Sequence, residues 1–349
     1  MQNSITLAHG AGGAIMQQLI KNIMLNRFSG ANFEVPLESL DDAGVVDDIV
    51  LTTDSYTVNP LFFPGGDIGR MSISGTVNDI AVMGADPIAL SSGFVMEEGF
   101  HLDDLEKILQ SMERTCKEAG VGIITGDTKV MERGAIDKII INTSGIGKRS
   151  ETLKRNIDVV KKYRTFNTTW LLDSNVKSGD KIIISGALGD HAIAIMSARG
   201  TYGFETDVMS DVAPLNKMMK KALEVGGVVS AKDPTRGGLA NLLNEWSAKS
   251  RIGIMIYENQ IPVRENIKAA LGFLGMDVLQ LGNEGKVCIA VIPEKADEVL
   301  QTLKETEEGK DAVIIGEATN EFDVAALETT VGGKRIIAQP AGDPIPRIC

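Results

Sequence analysis

The chain has 349 residues, 43% hydrophobic and 23% charged, the balance of a folded globular protein and a length that favours two domains. Its 47 acidic residues against 35 basic ones give a net charge of −12, a surface that repels polyphosphate backbones and argues against a nucleic-acid partner. No stretch approaches the roughly 18 apolar residues a bilayer crossing needs, and Met1-Gln2-Asn3-Ser4 lacks a basic-then-apolar leader, so the expectation is a cytoplasmic protein with no membrane partner.

Strand-like and helix-like patterns alternate throughout, which predicts an α/β or interleaved α+β fold. Ile5–Leu7 reads as a short strand entering the loop His9-Gly10-Ala11-Gly12-Gly13, and the helix after it places Ile15, Met16, Leu19, Ile20, Ile23 and Met24 on one face. A strand over Val45–Thr53 ends in Thr53-Asp54-Ser55. A helix over 70–83 stops at Gly84, with Asp86-Pro87 behind it. Leu102–Ala119 is amphipathic, with Leu102, Leu105, Leu109, Met112 and Cys116 turned inward; strands over Val121–Thr125 and Ile136–Ile146 complete this half.

The second half opens at Gly179-Asp180 with a strand over Lys181–Ser185 and a helix over His191–Ala198 capped by Gly200. Asp233-Pro234-Thr235-Arg236-Gly237-Gly238 then opens a helix with Leu239, Leu242, Leu243 and Trp246 at i, i+3, i+4, i+7 spacing. Strands near 252–257, 286–292 and 312–316 are separated by helices near 264–274 and 294–304. Between the halves, Lys148–Arg164 holds seven basic residues and two acidic ones, as a solvated connector or a docking surface would. Asp137-Lys138-Ile139-Ile140-Ile141 recurs as Asp180-Lys181-Ile182-Ile183-Ile184, a short match that does not establish duplication.

Neither a phosphate-binding G-x-x-x-x-G-K-[ST] nor a G-x-G-x-x-G after a strand occurs. The His9–Gly13 loop precedes a helix whose first N–H groups could hold an anion. More informative is a distributed acidic set: Asp41 and Asp42 before a strand, Asp54 at its end, Asp79 on a helix, and Asp127 after Gly126 at another strand end. Ser72, Thr76 and Asp79 share a helix face. Such carboxylates either cap turns singly or converge on Mg²⁺ ions that bridge nucleotide phosphates. Lys129 is placed to neutralise a transferring phosphoryl group. Glu284 lies in Gly282-Asn283-Glu284-Gly285, where glycines would admit a substrate backbone or simply form a turn.

Three cysteines are too few for a disulfide framework and suit a reducing compartment. Cys116 and Cys288 fall on inward positions and read as core residues. Cys349 follows Gln339-Pro340-Ala341-Gly342-Asp343-Pro344-Ile345-Pro346-Arg347-Ile348, whose prolines favour an extended arm. At ~3.3 Å per residue that arm spans on the order of 30 Å, enough to modify a thiol in one place and present it in another; a frayed terminus is the plainer alternative.

Together these segments resemble the HypE family of hydrogenase maturation factors, in the superfamily of aminoimidazole ribonucleotide synthetase, thiamine-monophosphate kinase and selenide water dikinase. The resemblance runs nearly the whole chain, through His9–Gly13, Thr53-Asp54, Asn78–Ala85, Gly126-Asp127-Thr128-Lys129, Gly189-Asp190-His191, Asp233–Gly238 and Asn283-Glu284-Gly285. Pro346-Arg347-Ile348-Cys349 points to HypE within the superfamily. It implies ATP-dependent dehydration of a carboxamide on the Cys349 sulfur to a thiocyanate, whose cyanide goes to the iron of an immature [NiFe]-hydrogenase. On the same ground, Asp42, Asp54, Asp79, Gly126 and Asp127 would bind ATP, with the four aspartates holding Mg²⁺. Lys129 would steady phosphoryl oxygens and Glu284 would serve as general base. HypF would load Cys349, and a HypC–HypD complex carrying iron would receive the cyanide.

The implied architecture is an ATP-binding, dimer-forming domain over 1–147 whose strands build a β-barrel across a homodimer. A basic connector over 148–178, a C-terminal α/β domain over 179–338 and a mobile tail over 339–349 would follow. The basic stretch 148–172 is longer than a simple connector needs. Two rivals stand beside this reading: a small-molecule kinase or synthetase of the same superfamily, and a nucleotide-binding scaffold without catalysis.

Overall fold

A computed structural model describes residues 4–28, 33–342, 344–345 and 347–349. Met1–Asn3, and Asp343 and Pro346 of the proline-rich tail, lie outside the described residues. The apolar stripe after Gly13 folds as Ala14–Leu19 (α1), a wide turn over Ile20–Met24, and Leu25–Phe28 (α2), with no residue buried. The strand expected at Ile5–Leu7 does not form. Thr6 instead donates its N–H to His9 Nδ1 at 3.0 Å and closes a 3-10 turn over Leu7–Gly10, a local bond that a lone three-residue strand cannot match.

The strand read over Val45–Thr53 is two, Gly44–Val46 (β1) and Ile49–Tyr56 (β2). Asp47 and Asp48 between them both take positive φ, which aspartate tolerates, and the chain reverses there as a tight hairpin. Asp54 therefore lies inside β2 rather than at its end. After the two-residue strands Phe62–Phe63 (β3) and Gly66–Asp67 (β4) comes Ile68–Val82 (α3), whose N-cap Asp67 accepts the N–H groups of Gly69 and Arg70 at 2.7 and 3.0 Å. Helix α3 is buried on nearly every side, its polar Ser72, Ser74, Thr76 and Asn78 included.

Ala85–Glu97 (β5), Leu102–Ala119 (α4), Ile123–Met131 (β6) and Ile139–Arg149 (β7) finish this half. The sheet order is β1-β2-β7-β5-β6, antiparallel except for β5 and β6, which α4 connects as a crossover. Helix α4 has the expected bounds but a rotated face: Ile108, Met112 and Cys116 are buried with Ser111, Thr115 and Ala119, whereas Leu102 and Leu109 face solvent. Strand β6 runs past the expected end at Thr125, so Asp127 and Lys129 sit within it.

Glu151–Tyr163 (α5) occupies the basic segment and is not a solvated connector. It buries Leu153, Ile157 and Val160, and Asn156 bonds both peptide groups of Val228 at 2.7 and 2.8 Å, while its lysines lie outward. Then follow Lys181–Ile184 (β8), Asp190–Arg199 (α6), Asn216–Val225 (α7), Val228–Lys232 (β9), Gly238–Ser250 (α8) and Gly253–Tyr257 (β10). Glu265–Leu274 (α9), Cys288–Val291 (β11), Ala296–Lys304 (α10), Val313–Thr319 (β12), Ala325–Glu328 (β13) and Lys334–Ile336 (β14) complete the chain. The second sheet, β14-β13-β10-β12-β8-β11-β9, is antiparallel except between β10 and β13.

The repeated Asp-Lys-Ile-Ile-Ile segments open β7 and β8 in different sheets. Their aspartates do different work, Asp137 pairing with Arg347 and Asp180 with Arg164. The halves share their cores: Val50 and Ile80 cluster with Ile183 and Trp246, and Met71 and Ile108 with Ile193, Ile345 and Ile348. Both interior cysteines are buried as expected, and burial pushes their thiols up. Loss of the N-cap in Asp67→Ala should lower stability by about 1 kcal/mol, read as a shift in the urea unfolding midpoint.

Candidate functional site

Where the two halves meet, a cleft of about 320 Å³ opens between β2, the N-terminal end of α8 and the segment carrying α1. Its walls include Asp42, Thr52, Asp54 and Asp79 from the first half and Lys232, Asp233, Arg236 and Glu245 from the second. Oxygens of Asp42, Asp79 and Asp233 lie within 4.8 Å of one another, close enough to share a cation. Thr52 donates to Asp79 at 2.7 Å and Thr76 to Asp54 at 3.0 Å, so both carboxylates are aimed by β2 and α3.

Burial dominates the electrostatics of this group. It drives the Asp42 carboxyl up to about 8 against the pull of Lys232, and Asp233 to about 6. Asp79 is raised well above the carboxylate range by burial, then by the charges of Asp54, Asp233 and Asp42; Asp54 is raised chiefly by burial. Carboxyls so starved of countercharge hold protons until a cation replaces them, and the donor set is the hard oxygen type that Mg²⁺ takes. Lys232 Nζ offsets part of the charge, lying 2.5 Å from Asp42, 3.3 Å from Glu245 and 3.4 Å from Asp173.

A second cavity of about 260 Å³ adjoins the first, lined by Leu7, Ala11, Ser55, Thr57, Arg236, Ile348 and Cys349. Arg236 is a wall of both, and the negative charge of Cys349, ahead of Asp54 and Glu284, holds its guanidinium above its usual range. The tail lies inward. Thr57 donates its N–H to the main-chain oxygen of Cys349 at 3.2 Å, Asn59 to that of Arg347 at 3.3 Å, and Ile345 and Ile348 are buried.

Glu284 is buried as well. Burial first, then Asp233 and Asp211, raise its carboxyl well above the ordinary range. The glycines beside it admit the chain's own backbone: a Cβ on Gly285 would overlap the carbonyl oxygen of Asp211, and Gly282 faces Thr235 and Ile348. Asn283 knits the site together, receiving the Gly189 N–H at 2.8 Å and donating its own N–H to the Pro234 carbonyl at 2.9 Å. Three motifs far apart in the chain thereby converge.

Asp42, Asp54 and Asp79 come together in the cleft. Gly126, Asp127 and Lys129 do not join them within one chain: they lie on β6, the exposed outer strand of the first sheet, paired with Ser92, Gly93 and Val95 of β5. After the loop His9–Gly13, the first helical N–H, at Ala14, is committed to the Pro340 carbonyl at 2.9 Å and is not open to an anion. The sequence gives Lys232, Asp233 and Arg236 no chemical role of their own, although the last two lie in a motif that carries the family resemblance. Asp233-Pro234-Thr235-Arg236-Gly237-Gly238 was their signal, a charged, glycine-rich run opening a helix.

Residues 40–148 match the N-terminal domain of the AIR synthase related protein family, and residues 177–327 match its C-terminal domain. A putative hydrogenase expression/formation protein of Methanocaldococcus jannaschii is 49% identical, covering 99% of both chains. The carbamoyl dehydratase HypE of Rhizobium leguminosarum bv. viciae is 42% identical over 99% of this chain and 95% of its own. Among solved structures, a HypE–HypF complex superposes with TM-score 0.83 at 44% identity, over 92% of this chain and 99% of that one. HypE in complex with ATP gives 0.79 at 39%, over 99% and 100%.

The acidic group has a measurable pH signature. Asp42 holds its proton up to about 8 in the fold against an ordinary value of 3.8, so between those values the folded chain binds more protons than the unfolded one. The stability this contributes is full below about pH 4 and is lost as pH rises to about 8. The melting temperature measured with a chelator present should fall across that window, and less steeply in Asp42→Asn.

Proposed function

The chain belongs to the HypE family of hydrogenase maturation proteins within the AIR synthase related proteins, and on that premise we infer that it is an ATP-dependent carbamoyl dehydratase whose substrate is a carboxamide on its own Cys349 sulfur. The position of Arg236 carries this reading: one residue walls both the aspartate cleft and the cavity that holds Cys349. A tail substrate and a nucleotide in the cleft would meet across that side chain.

The reaction keeps the S–C bond, removes both N–H protons and the oxygen, and turns the C–N bond into a nitrile. ATP supplies the leaving group, because an amide oxygen departs readily only as phosphate. Glu284 takes an N–H proton; its raised affinity for protons makes it a stronger base than a solvated carboxylate once the site has released its own. Arg236 holds the anionic charge of the reacting tail in place. Asp42, Asp79 and Asp233 are the favoured Mg²⁺ ligands, with Asp54 beside them, and the ion would neutralise phosphate charge.

Gly126, Asp127 and Lys129 enter through assembly. Every residue of β6 is exposed, among them Ile124 and Val130, and an outer strand of that length and character invites pairing. A second copy covers this edge as a homodimer whose strands close into a barrel, and Lys129 reaches phosphoryl oxygens from the seam. A HypF-type carbamoyltransferase loads Cys349, as the HypE–HypF complex of a relative suggests, and an iron-bearing HypC–HypD complex takes the cyanide.

Intact-mass analysis with the carbamoylating partner and ATP tests the reading. The wild-type chain should gain a carboxamide on Cys349 and then lose one water only when ATP is present; Cys349→Ser should gain nothing. Glu284→Gln should take the adduct and bind ATP but lose water about 10²–10⁴-fold more slowly. ATP turnover undiminished in Cys349→Ser would instead favour a small-molecule kinase. Separately, Ile124→Arg should shift the protein to monomer in light scattering and lower its ATP turnover.

A further inference from the structure

The motif Gly189-Asp190-His191 has so far carried no chemistry, yet its histidine touches the tail. His191 sits in the first turn of α6, fully buried. Its Nε2 lies 2.9 Å from the Ile348 carbonyl oxygen and its Nδ1 lies 2.8 Å from Ser210 Oγ. A carbonyl can only accept, so Nε2 carries the hydrogen. Burial disfavours a charged ring, so Nδ1 is bare and accepts the Ser210 hydroxyl. Phe63 meets the ring edge-on, with centroids 5.5 Å apart, and fixes its plane.

The next residue along, Asp211, works on the other side of the reaction. Its carboxylate accepts the Glu284 N–H at 3.1 Å, and its carbonyl fills the space left open by Gly285. One two-residue stretch, Ser210-Asp211, thus holds both the ring that grips the tail and the strip that bears Glu284. Ile348, the gripped residue, lies against Gly282 of that same strip.

We propose that His191, in the tautomer set by Ser210, is a positioning residue that registers the Ile348–Cys349 peptide against Glu284. It touches the tail one residue before the thiol and does not reach the reacting atoms. The inference rests on the dehydratase reading for its purpose, but the grip itself can be tested without it.

Three variants separate the possibilities. His191→Phe keeps a ring and loses the donor, His191→Gln offers an amide N–H to the same carbonyl, and Ser210→Ala removes the tautomer control together with the 3.2 Å bond that the Ser210 hydroxyl accepts from the Val212 N–H. The first readout is Cys349 labelling by a disulfide-exchange reagent on the unloaded protein, with Cys116 and Cys288 shielded by burial. The second is single-turnover water loss from the loaded chain, with the KM for ATP measured alongside.

His191→Phe should label about tenfold faster, the scale of one lost hydrogen bond, and lose water about 10²-fold more slowly with KM for ATP unchanged. His191→Gln should recover most of both, and Ser210→Ala should fall between. Labelling of His191→Phe at the wild-type rate, or His191→Gln no better than His191→Phe, would overturn the proposal. If His191→Phe does not fold, faster labelling of Ser210→Ala supports the proposal and wild-type labelling overturns it. A wild-type chain that never loses water would sink the dehydratase reading alone, leaving the labelling arm to decide the grip.

Discussion

The ammonium of Lys232 is the pin on which the cleft turns. It lies against Asp42 from the first half, Asp173 from the segment between the sheets, and Glu245 from α8. Lys249 reinforces it, 2.6 Å from Asp173, and the two lysines hold that carboxylate below its usual range despite the upward pressure of burial. Buried charges persist only when paired, so each of these segments is constrained by the others. The compensation is incomplete by design of the residue set. Asp79 and Asp233 face Asp42 without a cation of their own at bonding distance among the described residues, and their carboxyls are pushed toward the protonated form, a donor set that a divalent ion would suit.

Periodicity made the long elements legible. The bounds of α4 and the buried face of α8 follow from apolar spacing alone, because tertiary packing agrees with it there. Agreement fails where packing overrules pattern. Gly126-Asp127-Thr128-Lys129 is a poor strand former, yet pairing with β5 draws it into β6. Leu102 and Leu109 satisfy a helical stripe but face away from the core. In the site, the aspartates announced themselves as a set spread over strand and helix neighbourhoods. Lys232 and Arg236 could not, since Asp42 and Gly10, which tie them to the first half, lie about 190 residues or more away in sequence.

The tail is a packed element rather than a loose arm. Ile345 and Ile348 share an apolar cluster with Ile193 and Ile195 of α6, and burying two such side chains is worth about 3–6 kcal/mol. Arg199 adds a bond to the Arg347 carbonyl at 2.7 Å, and Arg347 bonds Thr57 and pairs with Asp137. A tail held this way leaves the interior only when something outside offers it comparable contacts. On the dehydratase reading, that hold would keep the thiol inside until a partner engages the tail.

The two ends of the chain also lean on each other. A Cβ on Gly13 would overlap the Pro340 carbonyl oxygen, the same oxygen that receives the Ala14 N–H, and α1 with the wide turn behind it roofs the cleft through Met16, Gln17 and Ile20. Departure of the tail from Pro340 onward would strip that helix of its opening bond. On the dehydratase reading, release of the modified thiol and opening of the nucleotide cleft would then share one movement.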